Sequence, residues 1–136
     1  MKNILEETVY YADTDSYGVV WHGSYIRWIE KGRVEICRDL GLDLKELKEN
    51  DILIPVTNLN IRYKSSAKLD DKIIIETTIS KVTPLTIEFT QIIKEKNSGK
   101  IFVIAKVEVV AVNSEGKIYR RIPELLKNAC CKALQE

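Results

Sequence analysis

Only one segment of this chain has the length and periodicity of a long helix, and a lone amphipathic helix must find its cover in the rest of the fold. From Ser24 to Leu40, stepping about 100° per residue gathers Tyr25, Trp28, Ile29, Gly32, Ile36 and Leu40 on one side. Arg27, Glu30, Lys31, Glu35 and Arg38 fall opposite, and Gly41 follows as a helix stop. Gly32 interrupts the apolar stripe at a cost of roughly 1 kcal/mol against Ala, which makes sense where a helix backbone lies very close to a sheet. Val34 stands among the polar residues and needs a partner surface of its own.

Beyond the helix the pattern changes to strands. Ile52–Tyr63 is broken only by Pro55, which marks an edge position or a bulge. Ile73, Ile75, Thr77 and Ile79 alternate with Glu76, Thr78 and Ser80. Leu85, Ile87, Phe89, Gln91 and Ile93 alternate with Thr86, Glu88 and Thr90. The turn Asn97-Ser98-Gly99 predicts an antiparallel hairpin with Ile101–Val112. Asn113-Ser114-Glu115-Gly116 predicts a further turn into a short strand, Lys117–Arg121. An opening strand is expected at Glu6–Tyr11, a polar connection at Asp43–Asp51, and a C-terminal helix from Pro123 to about Leu134. Together these predict one α+β domain over residues 1–136, with five or six antiparallel strands covering one long helix.

Composition narrows the function. Lys and Arg total 21 and Asp and Glu total 20, so the formal charge is +1 and nothing global attracts nucleic acid or an anionic membrane. No apolar run approaches the ~20 residues of a membrane span, and the start lacks a signal-peptide core. A cytoplasmic location is therefore expected, and because Cys37, Cys130 and Cys131 are odd in number and lack metal-ligand spacing, reduced thiols are expected too. No glycine-rich nucleotide loop or paired-cysteine motif occurs, so neither a metal nor a redox cofactor is expected.

The chemistry concentrates in residues 11–28. This stretch holds Asp13 and Asp15, the only histidine (His22), both tryptophans and Gly18, immediately ahead of and into the helix. A carboxylate facing a helix N-terminus is a plausible hydrolytic constellation, because free backbone N–H groups there stabilise an oxyanion. By residue type alone, Asp15 is either a turn or helix cap or a catalytic acid, and Asp13 fits a structural turn bond. His22 offers a ring or merely a backbone N–H. Trp28 lies on the buried stripe, whereas Trp21 and Tyr25 are either core aromatics or pocket walls. Arg62, Lys64 and Lys68, interleaved with Ser65 and Ser66, form either a solvated edge or a phosphate-binding rim.

The run Tyr11-x-Asp13-Thr14-Asp15-x-x-Gly18-Val19-Val20-x-His22-x-x-Tyr25, followed by Trp28, Glu30 and Arg33, resembles the hotdog-fold acyl-CoA thioesterases of the 4-hydroxybenzoyl-CoA type, including the Tol-Pal-associated thioesterases. Ile61-x-Tyr63-x-x-x-Ala67-x-Leu69-Asp70-Asp71 resembles that family's second signature. The resemblance implies a curved antiparallel sheet wrapped around the helix and hydrolysis of an acyl-CoA or acyl-carrier-protein thioester. It implies Asp15 as the catalytic acid and His22 as the residue whose N–H polarises the carbonyl. Gly18, Trp21, Tyr25, Arg62, Lys64 and Ser65 would contact substrate, with CoA entering as part of the substrate rather than as a cofactor. It also implies a homodimer or homotetramer. Two other readings stay open: a hotdog hydratase or dehydratase, for which His22 is the only histidine, and a non-enzymatic acyl-CoA-binding module.

Overall fold

The computed structural model describes residues 1–135. The elements run β1 (Lys2–Thr8), a 3-10 turn (Tyr11–Asp13), α1 (His22–Asp39), α2 (Leu44–Glu49), β2 (Val56–Tyr63), β3 (Lys72–Val82), β4 (Thr86–Glu95), β5 (Ile101–Val110) and α3 (Glu124–Gln135). The five strands form one sheet in the order β1-β3-β4-β5-β2, with every neighbouring pair antiparallel. The first two strands in sequence are thus the two edges of the sheet, and α1 is the connection that carries the chain from one edge toward the other. Register shifts at Ile79/Lys81 and Val56/Asn58 bend the sheet, since an extra residue on one strand raises local twist. The result is a curved antiparallel sheet around a long helix, the hotdog architecture.

The helix seats where its stripe predicts. Tyr25, Trp28, Ile29, Gly32 and Ile36 are all buried, and they meet Ile73, Ile75, Thr77 and Ile79 of β3 and Ile87, Phe89, Gln91 and Ile93 of β4, also buried. The closest approach is at Gly32. A Cβ there would meet the Thr77 hydroxyl oxygen and would stand 2.7 Å from Gln91 Nε2 and 3.1 Å from Ile75 Cγ2. Thr77 and Gln91 have no solvent exposure, so their polar atoms require partners. Gln91 Nε2 donates to the Ile29 carbonyl at 2.7 Å and to Thr77 Oγ1 at 2.9 Å. Its Oε1 accepts from Arg33 Nη1 at 3.2 Å. A helix carbonyl and a helix guanidinium are thereby bonded to the centre of the sheet. Burial lowers the Arg33 pKa from its ordinary value, a shift that the nearby Glu30 partly opposes.

Several boundaries differ from the sequence expectation. The opening strand is Lys2–Thr8, not Glu6–Tyr11, because Asp13 bends the chain at Tyr10 into the 3-10 turn. The polar segment Asp43–Asp51 contains α2, which the Asp43 side chain caps by accepting the Lys45 N–H at 2.9 Å and which buries Leu47. Lys117–Arg121 is not a strand; Ile118 makes one bridge to Val112. Leu85 is exposed, in a turn whose ends are tied by the Thr83 N–H bonded to the Thr86 carbonyl. The long helix begins two residues before Ser24, at His22. The C-terminal helix α3 buries Leu126, Cys130 and Ala133 beside β3. Burial pushes the Cys37 thiol up to about 11 and the Cys130 thiol to about 12, so both are weak nucleophiles near neutrality.

Gly32→Ala forces a methyl into the Thr77–Gln91 network, where neither neighbour can move without losing a buried hydrogen bond. We expect a destabilisation of about 2–4 kcal/mol, seen as a lower urea midpoint at unchanged slope. A change below about 0.5 kcal/mol would show that the helix does not approach the sheet this closely.

Candidate active site

Two carboxylates two residues apart have opposite environments. Asp13 is buried at 4% exposure. Its Oδ2 accepts the Tyr10 N–H at 2.9 Å, and its Oδ1 pairs with the Arg27 guanidinium one helical turn into α1. The Asp13 carbonyl accepts the Trp21 N–H at 2.8 Å and the Ser24 hydroxyl at 2.9 Å. Asp13 therefore joins the loop to the start of α1 through both its side chain and its main chain. Arg27 was not singled out from the sequence, because a partner fourteen positions away leaves no local signal.

Asp15 begins the tight turn that follows. Thr14 and Val20 form a bridge, the Asp15 N–H bonds the Val19 carbonyl at 2.9 Å, and the Gly18 N–H returns to the Asp15 carbonyl at 3.0 Å. Gly18 has φ +81°, in the left-handed region that favours glycine, so its role visible here is to close the turn. Asp15 is half-buried and its Oδ1 accepts the Tyr17 N–H at 2.9 Å. No protein partner engages its Oδ2 among the described residues. The turn holds the Asp15 backbone against Val19, three residues ahead of the first residue of α1.

The α1 N-terminus is uncapped. Trp21 occupies the N-cap position without a side-chain bond to the helix, and the first turn has no acidic residue. Among the described residues, the backbone N–H groups of His22 and Gly23 have no partner. Two orphan donors at the positive end of an 18-residue helix make an anion-stabilising site. The His22 carbonyl accepts the Tyr63 hydroxyl at 3.0 Å, which holds this turn to the end of β2.

The remaining candidates divide. Trp21 is half-exposed and its ring lies 5.1 Å from that of His22. Tyr25 is buried, with its ring edge-on to Trp28 and to Tyr63 and its hydroxyl accepting the Ala67 N–H at 2.9 Å. Desolvation raises its pKa. Tyr25 thus supports the site from the core, whereas Trp21 and Tyr63 are partly exposed beside it. Ala67 also accepts the Val20 N–H at 2.9 Å, which brings the 64–68 segment alongside the turn. Lys64 and Lys68 are exposed there, while the Ser65 hydroxyl is committed to the Ile101 carbonyl at 2.7 Å. Arg62 alternates with Tyr63 along β2 and so lies on the opposite face of the sheet.

An apolar groove of about 430 Å³ lies along α1 beside Ile26, Val34 and Cys37. Ile26, Glu30 and Val34 line it from the helix, in the row that His22 begins, and Val56, Leu59 and Phe89 line it from the sheet. Val34, unexplained within the helix, faces this groove. Its other wall comes from β2, whose contribution periodicity within the helix could not reveal.

Comparison with known proteins matches residues 9–130 to the model of the thioesterase-like superfamily. The chain belongs to that superfamily. The acyl-CoA thioester hydrolase YbgC of Shigella flexneri is 32% identical over 117 residues, covering 85% of this chain and 86% of that one. The DHNA-CoA thioesterase from Staphylococcus aureus superposes with a TM-score of 0.82 at 28% identity, over 88% of this chain and 80% of that one. A 4-hydroxybenzoyl CoA thioesterase solved with 4-hydroxybenzoyl CoA shares the fold at a TM-score of 0.86 and 19% identity, over 95% and 98%. This thioesterase-family chain has no helix long and apolar enough to cross a membrane among its described residues.

Proposed function

We propose that this thioester hydrolase cleaves acyl-CoA between Asp15 and the N-terminus of α1. The observation that carries the reading is the unpartnered Asp15 Oδ2 on a turn that leads directly into two free backbone N–H groups. The thioester oxygen accepts from the N–H groups of His22 and Gly23, so charge that develops on it meets donors already in place. One such donor is typically worth 10²–10³-fold in rate. Asp15 either takes a proton from an attacking water, which can pass to the departing sulfur as the C–S bond breaks, or adds to the carbonyl carbon and expels the thiolate, leaving an acyl anhydride that water hydrolyses to the free acid and Asp15. The same chemistry would serve an acyl-carrier-protein thioester, and no metal or redox group is required.

The relatives described above are thioesterases or thioester hydrolases, which favours hydrolysis over hydration or passive binding. The acyl group lies in the groove beginning at Ile26, and Trp21 and Tyr63 border its mouth. Lys64 and Lys68 provide the rim for the CoA phosphates, with Arg62 contributing only around the sheet edge. A cytoplasmic location fits the reduced cysteines.

The two sheet edges support a homo-oligomer. On β1, Glu6 and Glu7 are held in ion pairs with Lys96 and Lys31, each at 2.9 Å, so that edge is charged. On β2, Val56, Leu59 and Tyr63 are exposed and Arg62 is the one charged residue. An apolar free edge invites strand pairing, and pairing β2 with its counterpart would close the groove against a second copy.

Three measurements test this reading. Asp15→Asn should keep the thermal midpoint and lower kcat at least about 100-fold; retention of more than about a third of turnover would remove Asp15 from the chemistry. Lys64→Ala and Lys68→Ala should raise KM for an acyl-CoA with kcat nearly unchanged, and leave KM for the matching acyl-pantetheine alone. An equal penalty on both substrates would assign these lysines to the solvated edge. Light scattering should give a particle at least twice the 15.6 kDa chain, and a fully active 15.6 kDa species would refute the shared site.

A further inference from the structure

We infer that Gly23 is a positioning residue whose missing side chain holds the Trp21 indole against the first turn of α1, as a fixed wall beside the two free N–H groups. A Cβ on Gly23 would meet Cζ3 and Cη2 of the Trp21 ring and would stand 2.7 Å from Cε3. The six-membered ring therefore rests on the Gly23 Cα, and any side chain displaces it. The same ring lies 5.1 Å from the His22 ring at 52°, so Trp21 packs against both residues whose N–H groups are free.

Nothing else about the fold asks for glycine at this position. Gly23 is not among the residues with positive φ, so its backbone suits any L residue. It lies within α1, where helix propensity favours Ala over Gly. The three heavy atoms nearest to that Cβ position all belong to the Trp21 ring, whereas Gly32 faces the buried Thr77 and Gln91. Nor does the ring serve the core, since Trp21 is 50% exposed. A glycine kept in a helix to seat an exposed indole beside an oxyanion site points to that site. The seated ring limits the water that can reach the His22 and Gly23 N–H groups, and bonds in a water-poor setting stabilise developing charge more strongly.

This inference rests on the thioesterase reading, and its test separates the two. Wild type, Gly23→Ala, Trp21→Ala and the double variant are compared for kcat and KM on one acyl-CoA, for thermal midpoint and for tryptophan emission. Gly23→Ala should keep or raise the midpoint, shift the exposed-tryptophan emission and lose about tenfold or more in kcat/KM, mainly through kcat. The double variant should fall within about twofold of Trp21→Ala alone, because the added methyl then meets no ring. Wild-type kcat/KM and emission in Gly23→Ala would overturn the inference, and so would losses that simply multiply in the double variant. An unfolded Gly23→Ala that Trp21→Ala does not rescue would overturn it too, by assigning the glycine to the fold. If wild type turned over no acyl-CoA, the thioesterase reading would fail, while the emission of Gly23→Ala would still report whether the ring depends on Gly23.

Discussion

The contact on which the rest of the molecule depends is the seat of α1 on the sheet at Gly32. Without a side chain there, the helix backbone comes close enough for Gln91 to reach the Ile29 carbonyl while also bonding Thr77 and Arg33. Hydrophobic burial alone would press the helix to the sheet but would leave it free to slide or roll, since dispersion and burial are non-directional. Directional bonds to a buried amide remove that freedom. The N-terminus of α1 then stands at a defined height and rotation beside the end of β2, where Tyr63 bonds the His22 carbonyl, and the site is built outward from that point.

The loop ahead of the helix completes the geometry through a division of labour between two similar residues. Asp13 is fully engaged, by Tyr10 and Arg27 on its side chain and by Trp21 and Ser24 on its carbonyl. Because Asp13 does the structural bonding, Asp15 keeps an oxygen free and the helix keeps its first N–H groups uncapped. An acid that capped the helix itself would occupy those donors. With one carboxylate buried and fully bonded, the other keeps an oxygen without a partner among the described residues.

Much of this was legible in the residues because the deciding signals were local. The stripe from Tyr25 to Ile36, the alternation of β3 and β4, and the spacing of Asp13, Asp15, Gly18 and His22 each lie within one element or one loop. Gly32 was readable as a close approach because it breaks its own stripe. What stayed hidden depended on distant partners or on rotamers. Arg27 meets Asp13 across a bend; Val34 faces a groove whose far wall comes from β2; Tyr63 reaches His22 from forty-one positions away. The motif left Tyr25 as either a core aromatic or a pocket wall, and its bond to the distant Ala67 N–H is what holds it in the core. Gly23 carried no periodic signal, since only the position of the Trp21 ring shows why a glycine stands there.

The central claim is that the free N–H groups at the start of α1 polarise the thioester carbonyl. Vibrational difference spectroscopy of an acyl-CoA carrying a labelled carbonyl, bound to Asp15→Asn protein so that it is not consumed, measures that polarisation directly. The C=O stretch should move to lower frequency on binding than in water, because two preorganised donors at a helix N-terminus replace mobile solvent. A stretch at or above its frequency in water, with the ligand shown to be bound, would contradict the account.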